Sequence, residues 1–162
     1  MTARDDETEV GGAPVAKDVD VVTETVVRRP VEEVAAYAGD PMNAPEWYAK
    51  IASVEWRTPP PVAVGSRMDF VASFLGRRLA YTYEAVEFEP GRRLVMRTAQ
   101  GPFPMETTYT WQPLDDGSTR MTLRNRGRPS GFSRLAGPVV EQAMRRANRK
   151  DLARLRERLE RS

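Results

Sequence analysis

The chain reads as a fixed order of elements: one strand, two short helices, six more strands, and a single long amphipathic helix. That order constrains the fold more than any other feature. Strands joined by tight turns pair antiparallel, and a lone helix with one apolar stripe must bury it against the sheet they form. From Asp18 to Arg28 the pattern has period two, with Val19, Val21, Thr23, Thr25 and Val27 on one side, and predicts the first strand. Pro30 suits the first turn of a helix, Glu32 and Glu33 favour its positive end, and Val31, Val34, Ala35 and Ala38 recur at helical spacing up to Gly39. Asp40 caps a second, shorter helix with Pro41 at its first position; Pro45 makes it irregular, and Trp47 and Tyr48 close it.

Beyond Ile51 the signals are strand-like and punctuated by turn residues. Strands are predicted over 52–57, 66–74, 79–88, 94–99, 103–112 and 119–126. Between them stand Pro59-Pro60-Pro61, a tight turn at Gly76, Pro90-Gly91, Gly101-Pro102 and Asp115-Asp116-Gly117. With the first strand these make seven. The last segment carries Phe132, Leu135, Ala136, Val139, Ala143, Met144, Ala147, Leu152, Leu155 and Leu159 at mixed spacings of three and four, which predicts a long amphipathic helix that begins or kinks at Gly137-Pro138.

Alternation within the strands separates two faces. Met68, Phe70, Ala72 and Phe74 share one, as do Leu79, Tyr81 and Tyr83, then Leu94, Met96 and Thr98; Phe103, Met105, Thr107, Tyr109 and Trp111 form the richest row, continued by Met121, Leu123 and Asn125. The other face shows Arg78, Glu84, Arg97, Glu106, Arg120 and Arg124, as expected for an antiparallel sheet with one wet side.

Composition narrows the chemistry. At 162 residues the chain fits one domain with a core large enough to need neither disulfides nor a structural metal. It has no Cys and no His, which removes thiol nucleophiles, imidazole bases and the usual zinc ligands. Acid–base chemistry would fall to carboxylates, Lys, Tyr or Arg, and no cofactor or metal is expected. The formal charge of +2 is unevenly spread: residues 1–18 hold two basic and five acidic groups, residues 132–162 nine basic and four acidic, and the middle fourteen of each. Residues 1–17 read as a disordered acidic tail rather than a signal peptide, and 18–162 as the folded domain. No apolar run approaches the roughly 20 residues of a membrane span, so a cytoplasmic protein, monomer or homodimer, is expected. The basic final helix raises nucleic acid or anionic lipid as partners. A solvated outer face is the better account, because Glu141, Asp151, Glu157 and Glu160 are interspersed among its arginines, and no specific nucleic-acid binding is expected.

Four segments in this order, Arg29-Pro30-Val31-Glu32-Glu33-Val34, Asp40-Pro41-Met42-Asn43-Ala44-Pro45-Glu46-Trp47, Val64-Gly65-Ser66-Arg67 and Glu87-Phe88-Glu89-Pro90-Gly91-Arg92-Arg93-Leu94, resemble the START-like (SRPBCC) superfamily, in particular its polyketide cyclase/dehydrase-related branch. The resemblance covers nearly all of 18–160. It implies an α+β helix-grip fold: a seven-stranded antiparallel sheet curled around the C-terminal helix, two short helices closing one end, and a deep apolar cavity between sheet and helix. It does not transfer an activity, because this fold hosts transport, sensing and catalysis.

On that expectation the cavity is lined by Phe70, Phe74, Tyr81, Tyr83, Met96, Phe103, Met105, Thr107, Tyr109, Trp111 and Asn125 from the sheet and by Leu135, Val139 and Met144 from the final helix, with Trp111 and Phe74 the members most suited to plugging an end. Aromatics and methionines suit a flat or greasy ligand. Asp40, Asn43 and Trp47 belong to the segment that forms the usual entrance in the fold. Arg67 and Asp69 are expected to face outward. Glu84, Glu87, Glu89 and Glu106 fall mostly on the wet face, so no carboxylate pair for hydrolysis is evident. Two functions stay open: binding of a small hydrophobic molecule (a polyketide, lipid or aromatic metabolite) for transport, sequestration or sensing, and aromatase/cyclase chemistry, for which no general base is evident. A third is an interaction module using the basic helix.

Overall fold

The computed structural model describes residues 18–130 and 137–162. In chain order the elements are β1 (Val19–Val27), α1 (Val31–Ala38), a single 3-10 turn (Pro41–Asn43), α2 (Ala44–Trp47), β2 (Ile51–Trp56), β3 (Arg67–Phe74), β4 (Arg77–Glu89), β5 (Arg93–Gln100), β6 (Met105–Pro113), β7 (Thr119–Gly127) and α3 (Gly137–Arg161). Asp40 caps the 3-10 turn, its side chain accepting from the Met42 N–H at 3.0 Å.

The seven strands form one antiparallel sheet in the order β1-β7-β6-β5-β4-β3-β2. Consecutive strands from β2 to β7 are antiparallel neighbours, joined by short turns except between β2 and β3, where residues 57–66 make a longer connection. At the β3–β4 turn, Leu75 and Gly76 both take positive φ, 48° and 77°, which is the two-residue geometry that continues the twist of its strands. The first strand pairs with the last, and the α1–α2 stretch carries the chain from that edge to β2 at the other. The strand predicted from Phe103 begins at Met105 instead, because Pro104 lacks an N–H to give to the ladder; Phe103 lies in the β5–β6 connection.

The α3 helix lies across the concave face with Val140, Asn148, Asp151, Leu152, Leu155 and Leu159 turned inward. Its last turn is tied to the β1–α1 corner: the Arg28 N–H donates to Glu160 Oε1 at 3.0 Å, and Arg29 Nε donates to the Leu159 carbonyl at 2.9 Å. Pro138 sits in the first turn of the described helix, where a missing N–H costs nothing. Phe132, Leu135 and Ala136, and the acidic tail of residues 1–17, lie outside the described residues.

The main core runs through Val27, Val34, Trp47, Met68, Leu94, Met121, Leu123, Leu152 and Leu155, all buried. At the end of α1 a Cβ on Gly39 would stand 2.6 Å from the Ala35 carbonyl oxygen and 3.3 Å from the edge of the Trp111 ring. Glycine there lets α1 lie directly on β6. Gly39→Ala should therefore lower the unfolding free energy by about 1 kcal/mol through local overpacking, read as a lower urea midpoint at unchanged slope. A rise in the midpoint would mean that the α1 end is free to move.

Candidate functional site

Sheet curvature and α3 do not fill the space between them. A cavity of about 140 Å³ remains. Its wall takes Phe70 and Phe74 from β3, Tyr81 and Tyr83 from β4, and Met96 from β5; β6 adds Met105, Thr107 and Tyr109, β7 adds Asn125, the β5–β6 connection adds Phe103 and α3 adds Met144. These side chains meet there because the register aligns them: Tyr83 pairs with Met68 and Thr98, Met96 with Thr107, and Thr107 with Asn125. The Phe70 and Tyr81 rings stack at 5.4 Å with 1° between their planes, and Tyr83 meets Tyr81 edge-on at 4.9 Å. The two exposed lining residues, Lys50 and Arg126, mark the rim.

Three expectations change. Trp111 does not line this cavity. It is two residues beyond Tyr109 on β6, and there α1 covers the sheet, so the indole packs on Gly39 and plugs the far end. Val139 is 50% exposed, because the inward phase of α3 falls on Val140, which packs with Val19 and Val21. Leu135 lies outside the described residues. The Asp40–Trp47 segment is not at the rim either. Trp47 is fully buried with its ring 5.9 Å from that of Tyr109, Asn43 donates to the Tyr37 carbonyl at 3.1 Å, and Asp40 borders a separate outer cleft beneath α1. The segment lies at the end of the sheet that holds Trp111, on the side of Tyr109 away from the rim. Arg67 and Asp69 face outward as expected, pairing with Glu84 and Arg57.

Sequence reasoning placed Tyr81, Tyr83, Thr107, Tyr109 and Asn125 on this wall but missed its polar groups on α3 and beside α2. Asn148 and Asp151, three residues apart on α3 and therefore on one face, both line the cavity and are 6% and 5% exposed. Tyr48, just after α2, lines it as well. The readable signal was the break in the apolar stripe between Ala147 and Leu152, where the helical phase demands inward residues and the chain supplies an amide and a carboxylate.

These groups form two linked sets. Asn148 Nδ2 donates to Asn125 Oδ1 at 3.0 Å, Asn125 Nδ2 to Thr107 Oγ1 at 3.3 Å, and Tyr83 and Thr107 share a hydroxyl contact of 2.8 Å. Separately, the Tyr48 and Tyr109 hydroxyls meet at 2.7 Å. One proton serves that contact, so the pair keeps a second O–H to direct elsewhere. The Tyr81 hydroxyl has no hydrogen bond among the described residues. Asp151 Oδ1 accepts the Ala49 N–H at 3.0 Å.

Burial sets the charge states. It pushes the Tyr48 and Tyr81 phenols well above their ordinary range, raises Tyr109, and lifts Tyr83 to about 12. The cavity phenols are thus neutral donors and not bases. Burial also raises the Asp151 carboxyl, with the Ala49 N–H and the Arg154 charge opposing the rise. The wall combines an aromatic and thioether surface, a row of neutral hydroxyls and amides, and one carboxylate.

A curled antiparallel sheet gripping one long helix over an apolar, partly polar cavity defines a helix-grip protein of the START-like class. The chain belongs to the polyketide cyclase/dehydrase and lipid transport family, whose model matches residues 18–160. Among solved structures it is similar to a START superfamily protein from Mycobacterium smegmatis, at 16% identity and TM-score 0.76 over 88% of this chain and 97% of that one. A protein from Thermus thermophilus aligns at 22% identity and TM-score 0.73, covering 86% and 96% of the two chains. The Zhui aromatase/cyclase of a Streptomyces species aligns at 17% and 0.71, covering 90% and 95%. At these identities the likeness is one of fold. No curated protein matches the chain. No helix among the described residues is long and apolar enough to cross a membrane.

Proposed function

We propose that the chain binds a compact, mainly apolar molecule between sheet and α3, as a carrier, sequestering protein or sensor. The observation that carries the reading is the cavity itself: a wall of Phe, Tyr and Met with its polar groups gathered on α3 and the facing strands. Burying the ligand's apolar surface would supply affinity at about 25 cal/mol per Å² before ordering costs are subtracted. Size sets the class of ligand. Sites for drug-sized molecules run to roughly 300–1,000 Å³, whereas 140 Å³ holds about one substituted ring.

Aromatase/cyclase chemistry is the second reading. Asp151 favours it, because a buried carboxylate beside neutral phenols supplies a base and the donors that would stabilise an enolate. The volume weighs against it, since aldol closure requires a long poly-ketone to be folded inside. An interaction role for the basic helix draws on Arg146, Arg149 and Lys150, which are exposed and line no part of the cavity.

Ala147 lines the cavity from α3 and is small. Ala147→Phe should fill the space and weaken binding of a single-ring probe such as ethylbenzene by at least about tenfold, since the ring and the ligand compete for the same volume. Calorimetric titration of both proteins is the measurement. Equal affinities would place the ligand elsewhere. Mass spectrometry of natively purified, then denatured, protein would identify a resident compound.

A further inference from the structure

We propose that the ligand carries an N–H donor, in its strongest-binding form an ammonium group on a one-ring or short alkyl frame, and that Asp151 receives it. The inference rests on the cavity-binding reading above and specifies the chemistry of that same site.

Asp151 is 95% removed from solvent, yet no Lys or Arg among the described residues forms an ion pair with it. Its Oδ1 is engaged by the Ala49 N–H. No described residue donates to its Oδ2, and Asp151 lines the cavity. A buried carboxylate with one oxygen unpaired is costly, and proteins resolve that cost by protonation or by a cationic partner. Asn148, one turn earlier, adds to the same preference. Its Nδ2 is spent on Asn125, which leaves its Oδ1 as a second acceptor on the cavity side of α3. An ammonium group has three donors and no acceptor, which matches two acceptors at one end of an aromatic-walled space. The two cationic residues that touch the cavity do not answer Asp151: Lys50 is exposed at the rim, and the Arg126 guanidinium leans toward Asp20 on the outside at 3.9 Å.

The test uses near-isosteric probes on the whole chain at neutral pH, titrated by calorimetry: benzylamine, ethylbenzene and benzoate. Benzylamine should bind at least about tenfold tighter than ethylbenzene, as a charge-assisted hydrogen bond inside an enclosed site provides, and benzoate should bind weakest. In Asp151→Asn the ratio of benzylamine to ethylbenzene affinity should collapse toward one. Ethylbenzene binding as well as or better than benzylamine to the wild-type chain would overturn the amine assignment and leave the cavity reading standing. Benzoate binding tightest would overturn it too, by showing a protonated Asp151 that donates. If none of the three binds, both readings fall together. The wild-type series decides the matter even if the variant does not fold.

Discussion

Trp47→Ala should remove about 3–5 kcal/mol of stability, the range for deleting a buried tryptophan, and with it a large share of the roughly 5–15 kcal/mol that holds a domain of this kind folded. Trp47 has no exposed surface. Its ring lies 3.9 Å from that of Tyr48 and 5.9 Å from that of Tyr109, so the void would open directly beneath the Tyr48–Tyr109 hydroxyl contact. The indole N–H has no hydrogen-bond partner among the described residues, so the ring's contribution there is packing. Trp47→Phe should accordingly cost less than half as much, because it keeps most of the ring volume and deletes an unsatisfied donor. Urea unfolding of the three proteins tests both statements. A gate residue would behave differently: truncation would leave the midpoint nearly unchanged and speed ligand exchange. That result would restore the Asp40–Trp47 segment as an entrance.

Asp151→Asn should make the ligand-free protein more stable at neutral pH, by about 1–3 kcal/mol, the scale on which a buried, unpaired charge opposes folding. The amide retains an acceptor for the Ala49 N–H, so the backbone contact survives. The dependence on pH has a definite sign. Burial raises the Asp151 pKa in the folded chain above its unfolded value near 3.8, so between these two values the folded state binds more protons. The carboxylate's penalty is complete above the folded pKa and is relieved as the pH falls through it. The advantage of the asparagine variant should therefore be greatest near neutrality and shrink in acid, levelling off below the unfolded value. Asp20, Asp69, Asp116 and Glu160 carry lowered pKa values, with hydrogen bonds to Arg124, Thr82, Ser118 and the Arg28 N–H as the leading causes, and their contributions are lost in acid. They act alike in both proteins, so the difference between the two melting curves isolates Asp151. A variant less stable than wild type at pH 7 would mean that the carboxylate is already satisfied, and the unpaired oxygen on which the amine assignment depends would not exist.

Local pattern carried most of the fold. Period-two rows such as Met105, Thr107 and Tyr109 told which face of each strand is apolar, and turn residues such as Gly76 told where strands reverse. Apart from Phe103, which falls before β6, the inward row was assigned correctly, because alternation is a property of the chain's own geometry. The site was legible on the sheet side, polar Thr107 and Asn125 included, but not in Tyr48, Asn148 and Asp151. Trp111 shares a face with Tyr109, and nothing in their spacing says that α1 crosses the sheet at one and leaves the other open. Val139 and Val140 differ by a 100° turn of helix, and only the docking of α3 on β1 selects between them. The helical phase between Ala147 and Leu152 hints that Asp151 turns inward, but only the Ala49 N–H, 102 positions away in the chain, shows what meets it there.

What the sequence determined by itself, then, is the order of strands and helices, the face of each that turns inward, and the exclusion of thiol and imidazole chemistry, since all three follow from residue identity and short-range period. The tertiary structure decided how much of the concave face is solid and how much is cavity, which end is plugged and which is rim, and that a carboxylate stands inside. Those depend on distances between residues far apart in the chain, which curvature and helix docking set and which no local period encodes.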